Sequence, residues 1–136
     1  MRRLLLGALV GAVLGGLPLD GDAQDVEQLF WTVNPSVVVI KAKGRDVYAK
    51  AGLVSFDEIG SGVLISADGK VMTAAHVVHA MDEITVEFLG GEKVPARVVA
   101  SEPAADLSLL QLARVPAGAQ VARLGDSGSG WATRWW

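Results

Sequence analysis

The sequence predicts an all-β chain folded as an antiparallel barrel or sandwich. Three observations carry that expectation. Six short stretches are rich in β-branched residues or alternate apolar with polar side chains. Turn residues separate them roughly every eight to twelve positions, the spacing of small barrels and sandwiches. No long amphipathic helix lies between them, which disfavours a parallel sheet with crossover helices.

Taken in order, Gln24 to Val33 forms a short helix with Val26, Leu29 and Phe30 on one side. Asn34-Pro35-Ser36 ends it, because the residue before a proline avoids the helical region. Ser36 to Ala42 contains Val37, Val38, Val39 and Ile40 and reads as a buried strand. Gly44 to Ile59 reads as a loop with a partial strand. Gly62 to Ser66 and Lys70 to Ala74 flank Ala67-Asp68-Gly69, a hairpin signal. Glu83 to Phe88 alternates, Gly90-Gly91 turns it, and Val94 to Ala100 and Leu107 to Leu112 complete the strands.

Composition narrows the function. The chain has 136 residues and a formal net charge of −3, with 51% hydrophobic and 20% charged residues. That length holds one domain with a small core. The slightly acidic balance, without a Lys/Arg cluster, excludes a basic nucleic-acid binder. The absence of cysteine excludes a disulfide framework, a thiolate zinc site and a cysteine nucleophile. The only histidines are His76 and His79; an H-x-x-H pair without further ligands nearby gives no metal site, and no cofactor is expected.

The N-terminus reads as a targeting segment. Arg2-Arg3 precede the uncharged apolar stretch Leu4 to Leu17, which is too short to span a bilayer. Small residues Gly21 and Ala23 then fit a cleavage site, so residues 1–23 are expected to be a secretory signal peptide. The mature chain is expected to be secreted or periplasmic, with no stable membrane span.

Two places concentrate chemistry. One is Gly60-Ser61-Gly62-Val63-Leu64-Ile65, followed after the hairpin by Thr73-Ala74-Ala75-His76-Val77-Val78. The other is Asp106-Leu107-Ser108-Leu109-Leu110, where one acid opens an apolar strand. Alone, His76 reads as a structural histidine and Asp106 as a turn residue bonding its own backbone. Together these stretches resemble the trypsin-like serine peptidases of the HtrA/Do (Deg) group. That group carries G-S-G-V-x-I, a D-G turn, T-A-A-H-V-V and, after a hairpin, D-L-A-L-L. Val33 to Ile40 and Leu124-Gly125-Asp126-Ser127 are similar to further segments of the same group, so the resemblance runs from about Gln24 to Ser127.

The resemblance implies a trypsin-like (chymotrypsin-fold) antiparallel β-barrel over residues 24–127, the first of two barrels with the second missing. It implies a Ser–His–Asp endopeptidase acting on unfolded or misfolded polypeptides, and a homo-oligomer for the full-length family. His76 takes the place of the general base and Asp106 that of the group orienting it. The nucleophile is expected to be absent from this chain. Gly125-Asp126-Ser127-Gly128-Ser129 imitates a nucleophile loop, yet only 20 residues separate Asp106 from Ser127 and the second glycine is replaced by Ser129. Ser127 is therefore rejected, as is Ser61, which belongs to the strand signature. Residues 128–136 read as an aberrant tail. With a CGN codon for Arg134, their bases taken one out of phase can spell V-G-D-P-V-V, where the group has R-V-G-D-x-V-V, so a frameshift after Ser127 is expected. Two other readings stay open on the sequence: a catalytically dead secreted β-barrel binding module, and a non-functional translation product.

Overall fold

In the computed structural model, residues 21–48 and 52–126 are described. Helix α1 spans Gly21–Val33, three residues earlier than the sequence suggests, and a 3-10 turn at Asn34–Ser36 leads into the first strand. The strands are β1 (Val37–Tyr48), β2 (Gly52–Leu64), β3 (Lys70–Thr73), β4 (Glu83–Glu87), β5 (Lys93–Glu102) and β6 (Leu107–Leu112), with a single helical turn α2 (Ala75–Val78) after β3. They close into one antiparallel barrel in the order β1-β2-β3-β6-β5-β4. The all-β barrel expected from the sequence is the observed architecture.

Alternation fixes which residues point inward, since successive side chains of a strand face opposite sides of the sheet. Val38, Ile40, Leu64, Val71, Val86, Val94, Leu110 and Leu112 fill the interior. Val37 and Val39, which the sequence grouped with them, lie on the outer face and are exposed. Four consecutive β-branched residues thus make a one-sided strand and not one buried on both faces. The Asp68-Gly69 turn forms as expected. Gly69 adopts φ 93°, a left-handed conformation that glycine takes without a Cβ clash, and Lys70 N–H donates to Ser66 Oγ at 2.9 Å.

The main correction concerns Gly44 to Ile59. This segment is the outer half of a long hairpin, with β1 and β2 paired in unbroken register from Val37↔Val63 to Tyr48↔Gly52. Barrel pairing of β1 with β4 ends at Lys43↔Glu83, and β3 pairs with β2 only from Gly62 to Leu64. From Gly44↔Phe56 to Tyr48↔Gly52 the hairpin is a two-stranded arm beyond the barrel. An arm in solvent has no buried face, so its apolar and polar residues carry no inward–outward pattern to read. Leu53 is exposed on it, and Ile59, opposite Lys41 where β1 still pairs with β4, is exposed on the barrel's outer face. The ring of Phe56 lies across its cross-strand partner Gly44, where an added Cβ would fall 2.4 Å from the ring edge.

Core and arm should respond differently to truncation. Leu110 is fully buried and Leu53 is 65% exposed. Leu110→Ala is expected to cost about 2–5 kcal/mol, whereas Leu53→Ala should stay within about 0.5 kcal/mol. Urea unfolding midpoints of the two variants check this contrast.

Candidate active site

Strand β3 ends at Thr73, and the chain then makes the single turn α2. Val77 and Val78 are buried and anchor that turn to the barrel. Their burial throws the neighbouring His76 outward, with its side chain 67% exposed.

Asp106 is presented by the sequence Glu102-Pro103-Ala104-Ala105-Asp106. Pro103 opens a 3-10 turn, where its missing N–H costs nothing. The Glu102 carboxylate accepts from Ala104 N–H at 3.3 Å and caps the turn. Asp106 N–H donates to the Pro103 carbonyl at 3.0 Å. Asp106 itself takes the left-handed conformation, φ 52° and ψ 41°, which aspartate tolerates better than most residues.

From that position Asp106 accepts three hydrogen bonds from the α2 turn. Its carbonyl takes Ala75 N–H at 3.1 Å. Its Oδ1 takes His76 N–H at 3.0 Å. Its Oδ2 stands 2.8 Å from His76 Nδ1. An ionised carboxylate has no proton to give, so Nδ1 is the donor in that contact. The neutral imidazole is thereby held with Nδ1 protonated and Nε2 as a free acceptor. The His76 backbone N–H first, and then its ring, hold the Asp106 carboxyl below the usual aspartate range.

The pair borders an open cleft of about 490 Å³ lined by Phe56, Glu58, Ala75, His76, His79, Met81, Pro103 and Asp106. No serine, lysine or arginine lines it among the described residues. His79 stands on the same wall, and no cluster of three or more metal-ligating side chains occurs among the described residues. Ser61 lies on β2, where its carbonyl accepts from Thr73 Oγ1 at 2.8 Å. Ser127, Ser129 and the tryptophan-rich tail lie outside the described residues, as do residues 1–20 of the expected signal segment.

Sequence reasoning missed Phe56, Glu58, Met81 and Pro103 as walls of the cleft. Phe56, Glu58, Gly60, Gly62 and Leu64 share one parity on β2, and that period was the available signal. Glu58 obscures it, because the face turns from core to cleft at that residue.

A family model described as a trypsin-like peptidase domain matches residues 60–133, which include both His76 and Asp106. This chain belongs to the trypsin-like peptidase domain family. Within it, homologues of the HtrA/DegP type stand out. A probable periplasmic serine endoprotease, DegP-like, of Ectopseudomonas mendocina is 39% identical over 69 residues, covering 51% of this chain and 14% of that protein. A probable membrane transporter protein, MamO, of Magnetospirillum gryphiswaldense is 34% identical over 91 residues, covering 65% of this chain and 13% of that protein. A solved structure of an HtrA-type protease, an AlgW variant with decapeptide, superposes with a TM-score of 0.68 at 21% identity, covering 76% of this chain and 36% of that one. This trypsin-like domain thus spans about an eighth to a seventh of those two sequence relatives.

The depressed Asp106 pKa makes a signed prediction. The folded carboxyl titrates below its unfolded value near 3.8, so between the two values the unfolded state binds more protons. The stabilisation is fully present above that ordinary range and is lost as pH falls through the lower, folded value. Asp68 and Glu87, lowered by Lys70 and Lys41 respectively, contribute in the same acidic window. Urea unfolding from about pH 2 to 6 should therefore show a shallower acid loss of stability in Asp106→Asn than in the parent chain, with the slopes from Asp68 and Glu87 remaining. Parallel curves for the two proteins would contradict the assignment.

Proposed function

We propose that this chain supplies the histidine and aspartate of a Ser–His–Asp endopeptidase of the HtrA/Do type, and that residues 24–127 form the first of its two barrels. The observation that carries this reading is the 2.8 Å contact between His76 Nδ1 and Asp106 Oδ2, with Nε2 open to the cleft. In that role His76 takes the proton of an attacking serine hydroxyl through Nε2 and later gives it to the leaving amine. Asp106 keeps the imidazole in the required tautomer and stabilises the imidazolium that forms. A serine hydroxyl is barely nucleophilic without such a base.

The nucleophile in this reading is not Ser127. Only 20 residues separate Asp106 from Ser127, too few for a second barrel to present it. The described part of the barrel also leaves an apolar depression of about 220 Å³ on its outer face, among Met72, Ala100, Leu107 and Leu109, beside the strand that follows Asp106. Such a surface supports a barrel built to be covered by another. The substrates would be polypeptides and the setting periplasmic, in keeping with the Arg2-Arg3 and apolar Leu4 to Leu17 leader and with the name of the DegP-like relative. Among the described residues no helix is long and apolar enough to cross a membrane.

The 136-residue chain should not react with a fluorophosphonate probe and should not cleave casein. Residues 24–126 joined to the second barrel of a DegP-like relative should do both. In that chimera Asp106→Asn is expected to lower kcat by about 10⁴-fold, and His76→Ala should abolish turnover. Labelling of the chain alone at Ser127 would refute the rejection of that residue. A folded, probe-reactive chimera indifferent to His76→Ala would refute the role of His76.

A further inference from the structure

Gly60 has no side chain where β2 passes under the α2 turn. A Cβ built there would lie 2.5 Å from Val77 Cγ2, 2.7 Å from Val77 Cγ1 and 3.2 Å from Val77 Cβ. Val77 is 4% exposed, and a β-branched side chain is stiff at χ1. A buried, stiff side chain does not swing aside easily, so the clash pushes on the α2 backbone that carries it. That turn carries His76 next to Val77 in sequence, and three hydrogen bonds of 2.8–3.1 Å tie it to Asp106. Hydrogen bonds weaken steeply once donor and acceptor separate or tilt, and a misplacement of about 1 Å at a catalytic group can cost about 10²-fold in rate.

We infer that Gly60 is a positioning residue for His76: the side chain it lacks sets the height of the α2 turn, and so the reach of the imidazole to Asp106. The neighbouring Gly62 is sterically crowded in another direction. A Cβ there would meet Ile40 Cδ1 at 2.8 Å, Val71 Cγ1 at 2.8 Å and the Met72 carbonyl at 3.0 Å, all in the barrel wall and core. Gly60 and Gly62 of the G-S-G stretch therefore do different work. Gly62 makes room inside the barrel, and Gly60 seats the histidine. This inference builds on the proposed role of His76, but its test reads the His76–Asp106 hydrogen bond and not peptide hydrolysis, so an inactive chimera would leave it standing.

The test is proton NMR of the full 136-residue chain, following the downfield resonance of the His76 Nδ1 proton, which Asp106→Asn should remove and thereby assign. The parent chain should show it, Gly60→Ala should lose it, and Gly62→Ala should keep it while unfolding at a lower urea concentration than the parent. Val77→Ala placed on top of Gly60→Ala removes both clashing methyls and should restore the resonance. A Gly60→Ala protein that keeps the resonance unchanged and loses only stability, as Gly62→Ala does, overturns the inference. Should Gly60→Ala fail to fold, the double variant decides: the resonance present supports the inference, and its absence in a folded double variant overturns it. A parent chain without the resonance overturns the pair and the inference together.

Discussion

Strand β3 pairs with β6 so that Thr73 faces Ser108, and that single register places the site. His76 lies three residues beyond Thr73, and Asp106 lies two residues before Ser108. Closing the barrel at this seam brings together two chain segments 30 residues apart in sequence. Both register residues are buried polar groups with internal partners. Thr73 Oγ1 donates to the Ser61 carbonyl at 2.8 Å, and Ser108 Oγ shares a hydrogen bond of 2.7 Å with Ser101 Oγ. Slipping β6 by one residue would turn Leu110 outward and take Ser108 away from Ser101, leaving its hydroxyl unpaired. The fold thus defends the geometry of an exposed pair through buried contacts that take no part in its chemistry.

Above that seam, Asp106 works as much through its backbone as through its carboxylate. Its left-handed conformation aims the carbonyl at Ala75 and both carboxylate oxygens at His76. A carboxylate in the same place on an ordinary strand would reach the ring without gripping the backbone of the turn. The imidazole is exposed, so burial does little to fix it, and these directed hydrogen bonds supply its orientation. They also explain why the Asp106 carboxyl is held below the usual aspartate range.

Much of this was legible in the sequence. The alternation in Glu83 to Phe88 and Leu107 to Leu112 marked barrel strands, and Asp68-Gly69 marked the hairpin that delivers β3 to the seam. The pairing of His76 with Asp106 could be expected only through the resemblance, because no local pattern says which loop residues meet across a barrel. The segment from Gly44 to Ile59 was not legible, because its two-stranded part has no buried face and Glu58 interrupts the face that continues into the barrel. The α2 turn was also invisible, since four residues are too few to show helical periodicity. The glycines of G-S-G were visible as letters, but their separate steric roles follow from which atoms surround each one.

The proposed chemistry depends on the tautomer of His76. Nitrogen NMR of the imidazoles, recorded at a pH where both histidines are neutral, tests it most directly, with exposed His79 as an internal reference. The hydrogen bond made by one ring nitrogen decides which nitrogen carries the proton. His76 is expected to hold its proton on Nδ1, facing Asp106, with Nε2 bare. A His76 that carries its proton chiefly on Nε2 would contradict it, because the ring could then neither donate to Asp106 nor accept a proton from a nucleophile.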